Sequence, residues 1–353
     1  MTSLWLTRII PLTTLMLVSP SGGALAQTPP PKPDPDSVYL YSFFREPNGV
    51  GGLRLGWSED LFEWREIPGP HFQPTVGSVP RDGEPTGPVF RDAFVAPDPG
   101  GGFHLVWTTG WDRRDIGYAH SPDLIHWEDE RLLPVMTHRE AAEYCGAPKL
   151  CCDREAQLWM ILWSTTLGDD TFSEPVVPGT SRNHRIWYVT TRDFQTLSEA
   201  RVLFDPGHSC IDAYLLETAS EHLLFFKDER ANDESVAVFD PRYQNIRLAR
   251  GESPRGPFRE ISPPITGRGR GRWMNEGPSG IEVNGAYYVF YDHHGEDPYF
   301  GVVRSRDLVS WEEVTGRFSF PPRSKHGHIF RARREAVQRL IESGRESPRA
   351  RAR

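Results

Sequence analysis

Along most of the chain, apolar and polar positions alternate with a period of two or gather into short, aromatic-rich blocks. SVYLYSFF, GFHLVWTTG, LWMILWSTT, RIWYVTTR, HLLFFKDE, ESVAVFD, AYYVFYDHH and FGVVRS are the clearest blocks, separated by turn formers such as DPGGG, PGTSRN and EVNGA. Side chains of a strand point to its two faces in turn, so this pattern predicts β-strands, and the Asn-Gly and Gly-rich pairs predict tight reversals. A helical period is almost absent before the C-terminal RARREAVQRL. The chain reads as all-β with many hairpins.

One hairpin recurs. SEDLFEW (58–64), SPDLIHW (121–127) and SRDLVSW (305–311) share a pattern that also survives, degenerate, in TTRDFQTLSE. Ser, Asp and Leu at fixed offsets predict a capped turn that returns its apolar residues to the sheet, with the Trp packed between neighbouring sheets. Five units follow from this: Val38 to Ile67, Val89 to Leu133, Ala147 to Leu203, Ile211 to about Ile261 with the divergent ending SPRGPFREI, and Pro278 to Phe318. Five units predict a five-bladed β-propeller, which protects sheet edges by radial repetition and gathers the inner strands around one axis. A long β-sandwich offers no reason for the recurrence. The expected plan is a signal peptide at 1–26, a Pro-rich linker at 27–37, the propeller at 38–330 and a helical or disordered Arg-rich tail at 331–353.

Composition narrows the class. The 353 residues, 38% hydrophobic and 12% aromatic, suffice for a packed core, and a net charge of −8 argues against a nucleic-acid partner. The basic end reads as a short amphipathic helix and a solvated tail. At the other end Arg8 precedes IIPLTTLMLV, too short to span a bilayer as a helix, and Ala24-Leu25-Ala26 follows. This predicts a secretory signal peptide cut after Ala26, a stiff QTPPPKPDPD lead, and export to a periplasm or the exterior. No membrane span and no protein partner are implied. Four cysteines, Cys145, Cys151, Cys152 and Cys210, are too few to staple a domain this large. A bridge from Cys145 to Cys151 or Cys152 is open, and the paired CxxC arms of a structural zinc site are lacking.

Acidic residues at the start of successive inner strands would converge on the mouth of a central channel. Asp92 in VFRDAFVAP, Asp212 in SCIDAYLLE and Glu276 in WMNEGPSG have such positions. Each lies beside apolar residues, Phe90, Phe94, Ile211 or Trp273, where a solvated carboxylate is not usually found. Alone, Glu276 before Gly-Pro reads as a solvated turn residue.

Together these residues resemble glycoside hydrolase family 43, five-bladed propellers that include arabinofuranosidases, xylosidases, arabinanases and galactofuranosidases. The resemblance is carried by FRDAFV followed by GGFHLVWTTGW, by IDAYLL, FFKDER, NEGPSG before NGAYYVFYD, the SxDLxxW hairpins and KHGHIF. Asp212 lies 120 positions after Asp92, and Glu276 a further 64, separations like those of the family. It implies an inverting reaction in which Asp92 is the general base that activates water, Glu276 the general acid and Asp212 the modulator of its pKa. An acid must keep its proton, which a nearby carboxylate and a dry surround from Trp273 would favour, while Arg91 would help to hold the base ionised. An inverting pair stands roughly 6.5–9.5 Å apart, leaving room for the water.

By the same resemblance, His326 in SKHGH faces the channel and holds water or a metal ion such as calcium; its bland alternative is a structural hydrogen bond. No cofactor is required. Trp111, Trp163 and Tyr214 are candidate sugar platforms or core residues. The chain departs from many relatives at Ala93, where they have Pro, and at Cys145-Gly-Ala-Pro-Lys149, where they have Trp-Ala-Pro-Glu. WMNEGPSG also looks like the WMNDPNG box of the invertase and fructanase group, but that box opens their first blade and here the stretch comes last. The expected function is an exported, inverting, exo-acting glycosidase that removes a terminal furanose or pentose from an oligo- or polysaccharide. The alternatives are a galactofuranosidase or other glycosidase of the superfamily, and a non-catalytic glycan-binding propeller.

Overall fold

The computed structural model describes residues 35–79, 87–169, 171–172, 183–230, 243–267, 273–293 and 298–346. The expected leader, most of the linker, the ESVAVFD block and the end of the tail lie outside them.

Four-stranded antiparallel meanders account for nearly all of the regular structure. The chain opens with β1 (Ser37–Phe44), β2 (Leu53–Ser58) and β3 (Arg65–Phe72). The second meander is β4 (Arg91–Pro97), β5 (Phe103–Thr108), β6 (Ile116–Ser121) and β7 (Glu128–Leu133). The third is β8 (Gly146–Asp153), β9 (Leu158–Thr165), β10 (Arg185–Thr191) and β11 (Arg201–Phe204). Next come β12 (Cys210–Glu217), β13 (His222–Asp228), β14 (Tyr243–Gly251) and β15 (Phe258–Glu260). The last is β16 (Trp273–Val283), β17 (Ala286–His293), β18 (Tyr299–Ser305) and β19 (Glu312–Glu313), joined to the fourth by a two-residue parallel pairing of β14 with β16. A final strand, β20 (Lys325–Arg333), pairs with β1 and completes the first sheet in the order β20-β1-β2-β3.

The sequence units began that first sheet at Val38 and had no inner strand for it; the far end of the chain supplies one. Pairing β20 with β1 covers an edge that would otherwise be open to other strands. The leading strands then pack in a closed cycle, β4 on β8, β8 on β12, β12 on β16, β16 on β20 and β20 on β4. This all-β arrangement is consistent with a β-propeller.

The recurrent hairpin joins the third strand of a sheet to the fourth, and its residues do what their spacing predicts. The Asp carboxylates of positions 60, 123, 193 and 307 each accept two backbone N–H groups, at 2.7 to 2.9 Å. Behind each Asp sits an apolar residue in the left-handed region, Leu61, Leu124, Phe194 or Leu308, buried in the sheet interface. A left-handed conformation costs an L-residue roughly 1–2 kcal/mol. The capped amides and the buried side chain offset it. Trp127 meets Phe72 of the preceding sheet and Trp311 meets Phe225 of the preceding sheet, as the packing role requires.

Helix α1 (Arg334–Glu346) follows β20 directly. It packs Val337 and Leu340 into the cluster that contains Ile67 of β3, and Arg334 at its start holds Glu59 through two contacts of 2.6 and 2.7 Å. All four cysteines are free thiols. A bridge from Cys145 to Cys151 or Cys152 is ruled out by β8 itself, because six residues of strand extend about 20 Å and a disulfide needs Cα atoms roughly 4.4–6.8 Å apart.

Candidate active site

Every leading strand begins with the same kink. One residue near its start takes a positive φ: Asp92 (57°), Ala147 (51°), Asp212 (57°), Gly277 (60°) and His326 (44°). At all five a register shift against the second strand of the sheet, β1 in the case of His326, marks a β-bulge with its extra residue on the leading strand. A bulge turns successive side chains out of the ladder and re-aims them, here toward the axis. Asp92, Asp212 and His326 therefore occupy one kind of position, while Glu276 stands one residue ahead of it, in the place of Arg91, Ile211 and Lys325.

The kinks are held by polar residues that close the second strand of a neighbouring sheet. Thr108 accepts the Ala147 amide at 2.9 Å, Ser164 the Asp212 amide at 3.1 Å, and Asp292 the His326 amide at 3.0 Å. The Gly277 amide donates to Asp212 Oδ2 at 3.0 Å. Only glycine serves at 277, because a Cβ there would lie 2.5 Å from the His326 ring.

His326 is the hub. Its Nδ1 lies 2.9 Å from Asp92 Oδ1, and its Nε2 lies 3.5 Å from Glu276 Oε1, 3.3 Å from Asp292 Oδ2 and 4.0 Å from Asp212 Oδ2. Burial alone would make this imidazole neutral. The Asp92 and Asp292 carboxylates outweigh burial and push its pKa up to about 10, so it is a cation at neutral pH. Asp92, which also accepts the Thr108 hydroxyl at 2.6 Å, is held well below the usual carboxylate range against its burial by His326, Arg91 and Lys149. Asp212 is pushed upward by burial and by Glu276. Asp292 is pushed up to about 6 by burial, with Glu276 adding to the rise.

Glu276 departs from the expected picture. The sequence put Asp212 and Trp273 beside it to keep it protonated; instead, Lys227 Nζ stands 2.9 Å from its Oε2 and Lys325 Nζ 3.3 Å from its Oε1. Against burial, these lysines and His326 hold its pKa well below the ordinary value. The side chain of Trp273 lies outside the described residues.

The other candidates separate cleanly. Arg91 donates to Glu46 and stacks its guanidinium between the rings of Phe44 (5.1 Å) and Trp111 (4.7 Å), so it turns toward the rim and acts on Asp92 only through its charge. Trp111 is 54% exposed and lies nearly parallel to Tyr144 at 6.0 Å, an open aromatic ledge beside the site. Trp163 is not a platform: it is 1% exposed in the core, with its indole donating to Thr165 at 2.8 Å. Nor is Tyr214, which is buried with its hydroxyl donating to Gly280 O at 2.8 Å. Their faces are covered because a strand places alternate residues between sheets, and both fall on that side.

Asp212, Glu276 and His326 bring ligand-type atoms within 4.8 Å of one another. The set does not suit calcium, which takes six to eight oxygen ligands: here the imidazole offers only nitrogen, with Nδ1 facing Asp92 and Nε2 shared among three carboxylates. Lys227 and Lys325 already neutralise Glu276. Lys227, Asp292 and Lys325 escaped the sequence reading although a signal was present: Lys227 and Asp292 are charged residues that close otherwise apolar second strands, in FFKDE and VFYDHH.

A family model described as a probable glycosyl hydrolase domain, of the family 43-related group, matches residues 34–337. The chain belongs to that family. This family 43-related protein is a glycosidase, and no curated protein matches it by sequence. Its fold is similar to that of an endo-1,4-beta-xylanase from Bacteroides thetaiotaomicron VPI-5482, at 14% identity and a TM-score of 0.54 over 85% of this chain and 97% of that one. It is also similar to a thermostable family-43 glycoside hydrolase, at 18% identity and a TM-score of 0.50 over 72% and 78% of the two chains. An alpha-L-arabinofuranosidase from Lactobacillus brevis matches at 15% identity, with a TM-score of 0.47 over 64% and 72%.

Proposed function

We propose that this glycosidase is an exported, inverting, exo-acting enzyme that releases a terminal furanose or pentose from an oligo- or polysaccharide. Its five sheets are the blades of a propeller whose axial mouth is the active site. Asp92 takes a proton from the attacking water, Glu276 gives one to the departing oxygen, and Asp212 tunes Glu276. The observation that carries this reading is the imidazole of His326 between Asp92 and Glu276, one on each nitrogen. Two contacts and a ring width keep their nearest oxygens within about 9 Å, under the roughly 9.5 Å upper end for a pair with water between them. A base held ionised by His326, Arg91 and Lys149 is in the state that accepts a proton.

Glu276 has to gain a proton before it can act. Of its two lysines, Lys325 is the farther and more exposed, so a sugar seated against Glu276 displaces that contact first and lets the pKa rise as water is excluded. Trp111 offers the sugar its apolar face. The test is a panel of aryl furanosides and pyranosides with NMR of the first-formed anomer. Inverted configuration is expected, as is loss of at least about a thousandfold in kcat for Asp92→Asn, and for Glu276→Ala on unactivated glycosides. A retained anomer, or full activity in either variant, would sink the assignment.

A further inference from the structure

Two residues beyond each kink, the leading strands place Phe94, Lys149, Tyr214, Ser279 and His328 as a layer beneath the carboxylates. The Phe94 and His328 rings stack at 4.1 Å, Tyr214 touches His328 at 5.7 Å, and Lys149 Nζ lies 5.5 Å from the centre of the Phe94 ring. His328 donates no charge, because burial holds its pKa near 4 with the Val95 carbonyl and Lys149 as its other influences. Lys149 is thus the layer's one cation: burial lowers its pKa, and Asp92, Asp212 and Asp292 oppose that fall. It is 1% exposed, and its Nζ has no hydrogen-bond partner among the described residues.

Burying an ammonium without a direct partner opposes folding, and an apolar side chain of the same length would fill the space at no such cost. A group kept under those terms is a candidate for function. The charges that act on Lys149 come from three separate strands: Asp92 on β4, Asp212 on β12 and Asp292 on β17. None is within ion-pair distance, so the ammonium serves them as a common counter-charge and not as anyone's partner. Around Asp92 itself stand His326, Arg91 and Thr108. Arg91 is engaged with Glu46, and the charge of His326 is shared among Asp92, Asp292, Glu276 and Asp212.

We propose that Lys149 is a positioning residue of the hydrolytic site, a built-in axial cation that keeps Asp92 ionised while His326 serves four carboxylates at once. The inference rests on Asp92 being the base. Lys149→Met removes the charge and keeps the volume. Since the base works only when ionised, activity falls as pH drops through its pKa; losing Lys149 raises that pKa and moves the acidic limb of kcat to higher pH.

The expected result for Lys149→Met on an aryl glycoside is a kcat that falls at the acid end of the pH profile, recovery as pH rises, KM nearly unchanged, and a Tm equal to or above that of the wild type. Lys149→Arg should restore the position of the limb. Lys149→Gln, which loses the charge but stays polar, should repeat the limb shift and decides the matter if the Met variant does not fold. An unmoved acidic limb in the Met or Gln variant, with Asp92→Asn inactive, overturns the role of Lys149 alone. Activity surviving in Asp92→Asn overturns the assignment of the base, and the inference with it.

Discussion

Both ends of a sheet use the same backbone device, a residue held in the left-handed region, and they use it for opposite ends. At the outer turns it appears four times with almost the same residues: Ser or Thr, Asp, then Leu or Phe at positions 61, 124, 194 and 308. At the axial mouth it appears five times with four residue types, Asp92, Ala147, Asp212, Gly277 and His326. The turns carry a common structural load, so one solution serves them all. On the roles proposed above, the mouth needs a base, a modulator, a cation and room for each, so the repeat dissolves there. Chemistry in this molecule lies where an internal repeat keeps its backbone and loses its side chains.

That contrast can be broken by substitution. The largest effect belongs to the mouth: Asp212→Asn, which can still accept the Gly277 amide, should cost about a hundredfold or more in kcat and leave Tm within a degree or two. A fall in Tm with little change in rate would make Asp212 a structural residue like those of the turns. Lys325→Met should act more gently and on pH. With that cation gone the pKa of Glu276 rises, and because an acid is lost as pH climbs through its pKa, the basic limb of kcat/KM should move up by roughly one pH unit. In the wild type the limb of kcat should already lie above that of kcat/KM, since bound sugar loosens the same contact; coincident limbs would count against it. The smallest effect is expected at a turn. Asp307→Ala, which frees two backbone amides, should lower Tm by roughly 2–4 °C and leave kcat and KM alone. A rate defect there would mean that the turns are coupled to the mouth.

The same division explains what could be read from the sequence. The strands, the turns and the all-β class were legible because SxDLxxW repeats in identity. Asp92, Asp212 and Glu276 were legible because carboxylates between apolar residues stand out. Their environment was not, because it is assembled across sheets: Lys227 meets Glu276 from 49 positions away and His326 meets Asp92 from the last strand. Trp163 and Tyr214 show the complementary difficulty. Alternation assigns a side chain to one face of a strand, and only packing reveals whether that face meets a neighbouring sheet or the open mouth.

The strand that closes the first sheet also carries Lys325 and His326, and the hydroxyl of Tyr41 donates to the His326 carbonyl at 2.9 Å across that junction. The hub of the site thus follows the other strands in chain order and is fastened by the strand that precedes them all. A growing chain, or one cut short before β20, has every carboxylate but no imidazole between them. On the proposed site, closing the first sheet and assembling the hub are one event, and a chain truncated before β20 is expected to be inactive.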